Sequence, residues 1–372
     1  MLYLDNSATT VILPEVKDAM LPYLMEEYGN PSSKYYSLAT NAAEAVKTAR
    51  NNVATLLGCS SDEVYFTSGS TESNNMVLKG VAEAHSTKGN HIITSKVEHP
   101  SVLEVCQYLE TKGFMVTYLD VDRFGRVSVE ELEEAITDKT ILVTIMWANN
   151  EVGSLNDIKG ISDLCLAKGV YFHTDATQAV GKVEFILEDY PGITFLSCSG
   201  HKFHGPKGIG SVFIRNDQYG IPTKITPLLH GGGQEKGLRN GTLSVHNIVG
   251  FGKAAELAYI HQNENINKLE QLENYLRDVL LEKFSTNIKF NNDTVNKIPG
   301  LLSIQFIGLN NEILVKQLSP IISVSTGSAC SSSKPSIVLQ NIGLTIDEVR
   351  STIRISLSAL IKFEEIDIFN SL

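Results

Sequence analysis

The residues best suited to chemistry in this chain lie in Ser199-Gly200-His201-Lys202-Phe203-His204-Gly205-Pro206-Lys207-Gly208-Ile209-Gly210. The segment follows an apolar run, Ile193-Thr194-Phe195-Leu196, and sets Lys202 among hydrogen-bonding side chains and glycines. Surface charge is a poor explanation for a lysine in that place. It suits an amine that loses its proton and attacks a carbonyl to form a Schiff base. An aldehyde cofactor held by Lys202 would call for three more parts: a phosphate cradle, a carboxylate for a ring nitrogen, and a reacting group.

Each part has candidates. Ser68-Gly69-Ser70-Thr71-Glu72 follows a β-type run and opens a helical one. Backbone N–H groups at a helix start, with the Ser70 and Thr71 hydroxyls, make an anion site; a plain N-cap partnered by Glu72 explains the same residues. Pro206 follows Gly205 where a Walker motif needs lysine, and Gly208-Ile209-Gly210 is too short for a dinucleotide fingerprint. One phosphate, rather than a nucleotide, is therefore expected. Asp175 stands two residues beyond the apolar run Val170–His173, with Gln178 one turn further. A carboxylate there could keep a pyridine nitrogen protonated and make the ring an electron sink, with the amide on a ring oxygen; helix capping is the plain alternative. His173 and Asp175 have H-x-D spacing but no third ligand at fixed distance, so no metal is expected.

His99, in Glu98-His99-Pro100, could stack on a ring and shuttle protons, or be an ordinary satisfied histidine. Asn150 is equally ambiguous. Arg354 lies between apolar neighbours in Ile353-Arg354-Ile355-Ser356. A substrate carboxylate or an internal salt bridge would serve its charge equally well. Cys330 sits in Ser328-Ala329-Cys330-Ser331-Ser332-Ser333-Lys334-Pro335, a segment without periodicity that reads as an exposed loop. An exposed thiol there reads as functional rather than packed.

These residues must be positioned by a fold. Short β-branched or aromatic runs at Val64–Thr67, His91–Thr94, Val116–Leu119, Ile141–Trp147, Val170–His173 and Thr194–Ser197 alternate with helical stretches such as Asn41–Leu57. That pattern predicts an α/β fold with a mainly parallel sheet covered on both faces. Ligands then bind beyond the carboxyl ends of the strands, where five polar clusters fall, Asn149-Asn150-Glu151 among them. Asn247–Phe284 reads as one or two long helices, and the remainder as a smaller α+β unit with a soft boundary near residue 250.

Composition narrows the class further. The 372 residues carry a net charge of −11, which gives no electrostatic reason to bind nucleic acid directly. No apolar run approaches the ~18 residues that span a bilayer, and no signal peptide is apparent, so the cytoplasm is the expected location. Five widely spaced cysteines without a C-x-x-C pair argue against a disulfide framework or structural zinc.

Taken in order along nearly the whole chain, the motifs resemble those of the NifS/IscS-type cysteine desulfurases, in the class V aminotransferase group. They run from Leu4-Asp5-Asn6-Ser7-Ala8-Thr9-Thr10 and Gly29-Asn30-Pro31-Ser32-Ser33 through Thr67-Ser68-Gly69-Ser70-Thr71-Glu72 and Glu98-His99-Pro100. They continue with Ala148-Asn149-Asn150-Glu151-Val152-Gly153, His173-Thr174-Asp175-Ala176-Thr177-Gln178, Ser199-Gly200-His201-Lys202, Gly231-Gly232-Gly233-Gln234-Glu235 and Ser328-Ala329-Cys330.

The resemblance implies the fold-type I architecture of pyridoxal-phosphate transferases. Residues 15–250 would form a large domain on a seven-stranded type of sheet; residues 1–14 and 251–372 would form a small domain carrying the cysteine loop. It implies pyridoxal 5'-phosphate as cofactor, bonded to Lys202. Ser70, Thr71, Ser199 and His201 would hold the phosphate, with Thr242 reaching the phosphate of the other subunit in a homodimer. Asp175 and Gln178 would face the ring nitrogen and ring oxygen, His99 would stack on the ring, Asn150 would orient cofactor and substrate, and Arg354 would bind the substrate carboxylate.

Cys330 would take sulfur from L-cysteine as a persulfide, releasing alanine. An acceptor protein for iron–sulfur cluster assembly or for thiolation of tRNA or a cofactor would follow. Selenocysteine lyase, or another class V lyase or aminotransferase, is the alternative, and a non-catalytic sulfur-relay module is a more distant one. The chain departs from the family pattern in three places. Four residues separate Cys330 from Pro335, Tyr35-Tyr36 follow Lys34 where a histidine is expected, and the sequence stops soon after Phe363-Glu364-Glu365-Ile366-Asp367 without a long scaffold-docking tail.

Overall fold

The computed structural model describes residues 1–327 and 335–371. Its strands are β1 (Leu2–Tyr3), β2 (Val64–Thr67), β3 (His91–Ser95), β4 (Met115–Leu119), β5 (Thr140–Thr144) and β6 (Tyr171–Asp175). There follow β7 (Ile193–Ser199), β8 (Gly210–Ile214), β9 (Ile288–Phe290), β10 (Leu301–Phe306), β11 (Ile322–Ser323) and β12 (Thr352–Ser356). Seven of them form one sheet in the order β2-β8-β7-β6-β5-β3-β4. Every pairing in it is parallel except the two made by β8. The α/β architecture expected from the alternating runs is therefore present.

All residues of β2, β3, β5 and β8 are buried, as a sheet covered on both faces requires. Successive strand residues point to opposite faces, and the two cores show it. Ile93, Val143, Leu196 and Phe213 join one core with helices Ser37–Leu57 and Val245–Ile260. Ile92, Leu142, Phe195 and Val212 join the other with helices Ser70–His85 and Pro100–Glu110. The expected helix ending at Leu57 begins four residues earlier than its pattern, at Ser37, and closes on Gly58 in the left-handed conformation. Strand β8 is not among the runs expected from the sequence; it begins at Gly210.

A second unit packs β10 antiparallel against β12 and β9, under helix Gln262–Phe284. Its core holds Leu272, Leu276, Leu302, Ile304, Ile353 and Ile355, and also Leu4 from the N-terminal segment. That segment links the two units. Leu2 pairs with Ile322, the Asn6 amide donates to Ser356 O, and the Thr10 amide donates to His201 O at 2.9 Å.

Two glycines shape the turns nearest Lys202. Gly69, at φ +148, lets the chain pass from β2 into helix Ser70–His85. A Cβ at Gly205 would stand 2.8 Å from the Gly200 carbonyl oxygen, so only glycine fits beneath the turn. Phe251 supports the same turn: it is fully buried, its ring meets those of Phe66 and Phe203, and it borders Gly200. Phe251→Ala is expected to cost about 3–5 kcal/mol of stability, read from the denaturant midpoint. A loss under ~1 kcal/mol would show that the ring is not a wedge in this core.

Candidate functional site

Polar side chains converge in a pocket of about 520 Å³ at the carboxyl edge of the sheet. Its lining includes Ser70, Thr71, His99, Asn150, Asp175, Gln178, His201, Lys202 and Arg354. Nine residues singled out from sequence thus meet in one place. Their strands end side by side, so the turns after β2, β3, β5, β6 and β7 all open on it.

Lys202 closes a single 3-10 turn, Gly200–Lys202, directly after β7. Its Nζ donates to the carbonyls of Ser7 and Ala8 at 2.6 and 2.8 Å. The N-terminal segment therefore holds the amine at the pocket wall. His201 beside it meets Thr9 Oγ1 at 3.1 Å. Burial, with the charges of Lys202, Lys207 and Lys182, pulls its pKa down to about 4, so it is a neutral ring at physiological pH.

Asp175 is the last residue of β6, not two residues beyond the strand, and is 6% exposed. Its Oδ2 accepts from Asn74 Nδ2 at 2.8 Å and its Oδ1 from the Thr177 amide at 3.0 Å. The same Asn74 amide donates to Ser101 Oγ at 2.8 Å, and Ser101 Oγ lies 2.8 Å from His99 Nδ1. His99 Nδ1 also accepts from the Ser101 amide at 3.1 Å, which can only donate. In the neutral ring the proton therefore sits on Nε2. Burial pulls the His99 pKa below its ordinary value, opposed by Asp175 and aided by Lys202.

Gln178 is held at both ends of its amide, by Ser7 O and by Lys182 Nζ. His173, by contrast, has both ring nitrogens occupied, by Thr144 and Ser197 hydroxyls, and is a core residue. Glu98 also lines the pocket. Its Oε1 accepts from Ser95 Oγ and the Met146 amide, while Oε2 is buried with no partner among the described residues. Burial, with the Asp175 charge, pushes its pKa up to about 8, leaving a neutral acid at pH 7.

Arg354, on β12, is 1% exposed and pairs with Asp5 through Nη2 at 2.7 Å. Its Nη1 donates to Asn150 O at 2.7 Å and to Gly327 O at 3.3 Å. The internal salt bridge is thus present, yet Nε is buried without a partner among the described residues. The five N–H groups of Arg354 meet three acceptors among the described residues, so the guanidinium of this pocket-lining residue has donor capacity to spare. Glu151 lies beside it: Ser336 Oγ donates to Glu151 Oε2, and a Cβ on Gly327 would stand 3.0 Å from that same oxygen. Burial pushes its pKa up, with Ser336 and Arg354 opposing.

Two predicted residues lie apart from this cluster. Ser199 is buried at the end of β7 and faces the Gly69 turn, its Oγ 3.5 Å from the place of a Gly69 Cβ. Thr242 is exposed and does not line the pocket. Cys330 lies outside the described residues, but Pro335, Ile337 and Val338 just beyond it line the pocket. Sequence reading passed over Asn74, Ser101, Asp5, Lys182 and the neutral state of Glu98. Asn74 stands four residues from Ser70 on one helix face, a spacing that could have revealed it.

The Glu98 shift has a testable sign. A carboxyl group with a raised folded pKa contributes stability below its ordinary value and loses it as pH rises through about 8. Melting temperatures of the wild type should therefore fall more steeply than those of Glu98→Gln between pH 5 and 9. Parallel curves would show that Glu98 ionises without cost.

With this geometry in view, comparison with known proteins is direct. The aminotransferase class-V family profile matches residues 2–369. A cysteine desulfurase IscS of Clostridium botulinum (strain Kyoto / Type A2) is 46% identical over 98% of this chain and 91% of its own. A solved NifS-like protein superposes with a TM-score of 0.92 at 37% identity, covering 100% of this chain and 97% of that one. SspA in complex with cysteine superposes at 0.84 with 36% identity, covering 96% and 99%. The chain belongs to the class-V aminotransferase family and, within it, to the cysteine desulfurases of the NifS/IscS type.

Proposed function

We propose that the pocket binds pyridoxal 5'-phosphate through Lys202 and takes sulfur from L-cysteine onto Cys330. One observation carries the reading: Lys202, Asp175, His99 and Arg354 line a single pocket that also meets a helix start. The donor set fits the cofactor. No side chain caps helix Ser70–His85, so its first N–H groups are available to a phosphate, together with the hydroxyls of Ser70 and Thr71. Asp175 offers a carboxylate whose orientation Asn74 and Thr177 fix. Gln178 turns its amide N–H side to the pocket wall.

When bound, the cofactor supplies an electron sink for the bond changes at the substrate α-carbon. The chain's residues then do the rest. Arg354 would receive the substrate carboxylate at the pocket wall, while Asp5 and the Asn150 carbonyl keep the guanidinium in place. His99 offers Nε2 for proton transfer, its other nitrogen held by Ser101. Lys202 Nζ, when not bonded to the cofactor, would be a second base at the same wall. The Cys330 thiolate attacks the substrate sulfur; an S–S bond forms, the C–S bond breaks, and its electron pair stays on carbon to be protonated as L-alanine.

Other observations support the surroundings of this chemistry. A structural relative carries cysteine, which supports L-cysteine as substrate. Gly327 and Pro335 flank the Cys330 segment, and both meet pocket residues or line the pocket. In the homodimer that the family resemblance implies, the exposed Leu21, Leu24, Met25, Tyr28, Tyr35 and Tyr36 would be candidates for burial. The exposed Thr242 would then serve the other subunit's phosphate. The persulfide would pass to an acceptor protein of iron–sulfur assembly or of tRNA or cofactor thiolation. No helix among the described residues is long and apolar enough to cross a membrane.

Protein loaded with pyridoxal phosphate is expected to release L-alanine from L-cysteine. Cys330→Ala should keep the cofactor's visible band but lose alanine release, and Lys202→Ala should lose the covalent attachment. Alanine release at the wild-type rate by Cys330→Ala would refute the role of the thiol. His99→Gln should lower kcat by about 10²–10⁴-fold, measured under saturating cysteine; an unchanged kcat would remove His99 from the proton path.

A further inference from the structure

Gln178 and Lys182 lie one turn apart on the segment that follows β6. The amides of Ala179 and Val180 donate to Ala176 O, and that of Lys182 to Ala179 O at 2.9 Å. Gly181, at φ +78, turns the chain where a Cβ would come within 3.1 Å of Phe203 Cβ. The turn brings Lys182 Nζ to 3.1 Å from Gln178 Oε1. On the far side of the amide, Gln178 Nε2 donates to Ser7 O at 2.9 Å, the carbonyl that also accepts from Lys202 Nζ.

An ammonium only donates, so Lys182 fixes the carbonyl end of the Gln178 amide and sends both Nε2 hydrogens the other way. One goes to Ser7 O. The second is left for the pocket that Gln178 lines. A donor backed by a cation is stronger than a neutral one. We propose that Lys182 is a positioning residue that holds Gln178 with an N–H toward the cofactor's ring oxygen and favours negative charge on that oxygen. This rests on the reading that Gln178 faces that oxygen.

The electrostatics agree. The groups acting on the Lys182 ammonium are Lys202 and Arg354, both cationic, and His201 and His204 also feel its charge. Burial, with Lys202 and Arg354, pulls its pKa down to about 7. Such a cluster favours the arrival of an anion, and the anion in turn favours the charged form of Lys182.

The test uses the full-length protein loaded with pyridoxal phosphate, and Lys182→Met and Lys182→Arg variants. Two quantities are read: the Kd for pyridoxal phosphate, and the pH midpoint of the bound cofactor's visible band. Losing a cation and a fixed donor both favour a retained proton. Lys182→Met should therefore raise the midpoint by about one unit and weaken binding about tenfold, and Lys182→Arg should restore both. A Met variant that matches the wild type in both, or that differs in melting temperature alone, overturns the proposal. Should Lys182→Met fail to fold, Lys182→Gln keeps a donor without the charge, and an unshifted midpoint there overturns it too. Gln178→Leu separates the two readings. If it leaves the midpoint unchanged, Gln178 does not face the ring oxygen; if only the Lys182 variants leave it unchanged, only the role of Lys182 fails.

Discussion

A parallel sheet buried on both faces has one place for polar chemistry, the edge where its strands end. Its faces are committed to apolar packing, with β2, β3, β5 and β8 wholly buried. The turns at that edge must satisfy their own backbone groups and can carry charged side chains into a cleft. The fixed order of strands thus sets Lys202, Asp175 and His99 around one pocket, though over a hundred residues of chain separate His99 from Lys202.

The edge alone does not make the site. Residues 5–10 cross it from the second unit, and their carbonyls anchor Lys202 while Asp5 anchors Arg354. Breaking the Asp5–Arg354 pair would leave a nearly fully buried guanidinium without its counter-charge, which is costly. The same arginine touches Gly327 O, so one side chain connects the pocket wall with the chain that leads to Cys330. Within the pocket, the relay from Asp175 through Asn74 and Ser101 to His99 fixes one tautomer of the imidazole.

Much of this was legible in the sequence, for physical reasons. Strand runs and glycine turns are local signals, so the sheet, the five polar clusters and the helix start after Gly69 could be read directly. Lys202, Asp175, Gln178, His99 and Arg354 stood out because their types are unusual next to apolar strands. What escaped reading depends on approach in space. Strand β8 opens on a glycine directly after the glycine-rich Lys202 segment, Asp5 finds Arg354 across nearly the whole chain, and Glu98 owes its neutral state to burial that no local pattern displays. The reaction type rested on the resemblance, because no spacing rule joins Cys330 to Lys202.

The central claim is that sulfur passes from L-cysteine to Cys330 in this pocket. The most direct measurement is a single turnover of the pyridoxal-phosphate-loaded protein with sulfur-labelled L-cysteine, followed by peptide mass mapping under non-reducing conditions. The account predicts one labelled sulfur on the Cys330 peptide for each L-alanine released. Label on Cys59, Cys106, Cys165 or Cys198 instead, or alanine formed with no sulfur on Cys330, would contradict it.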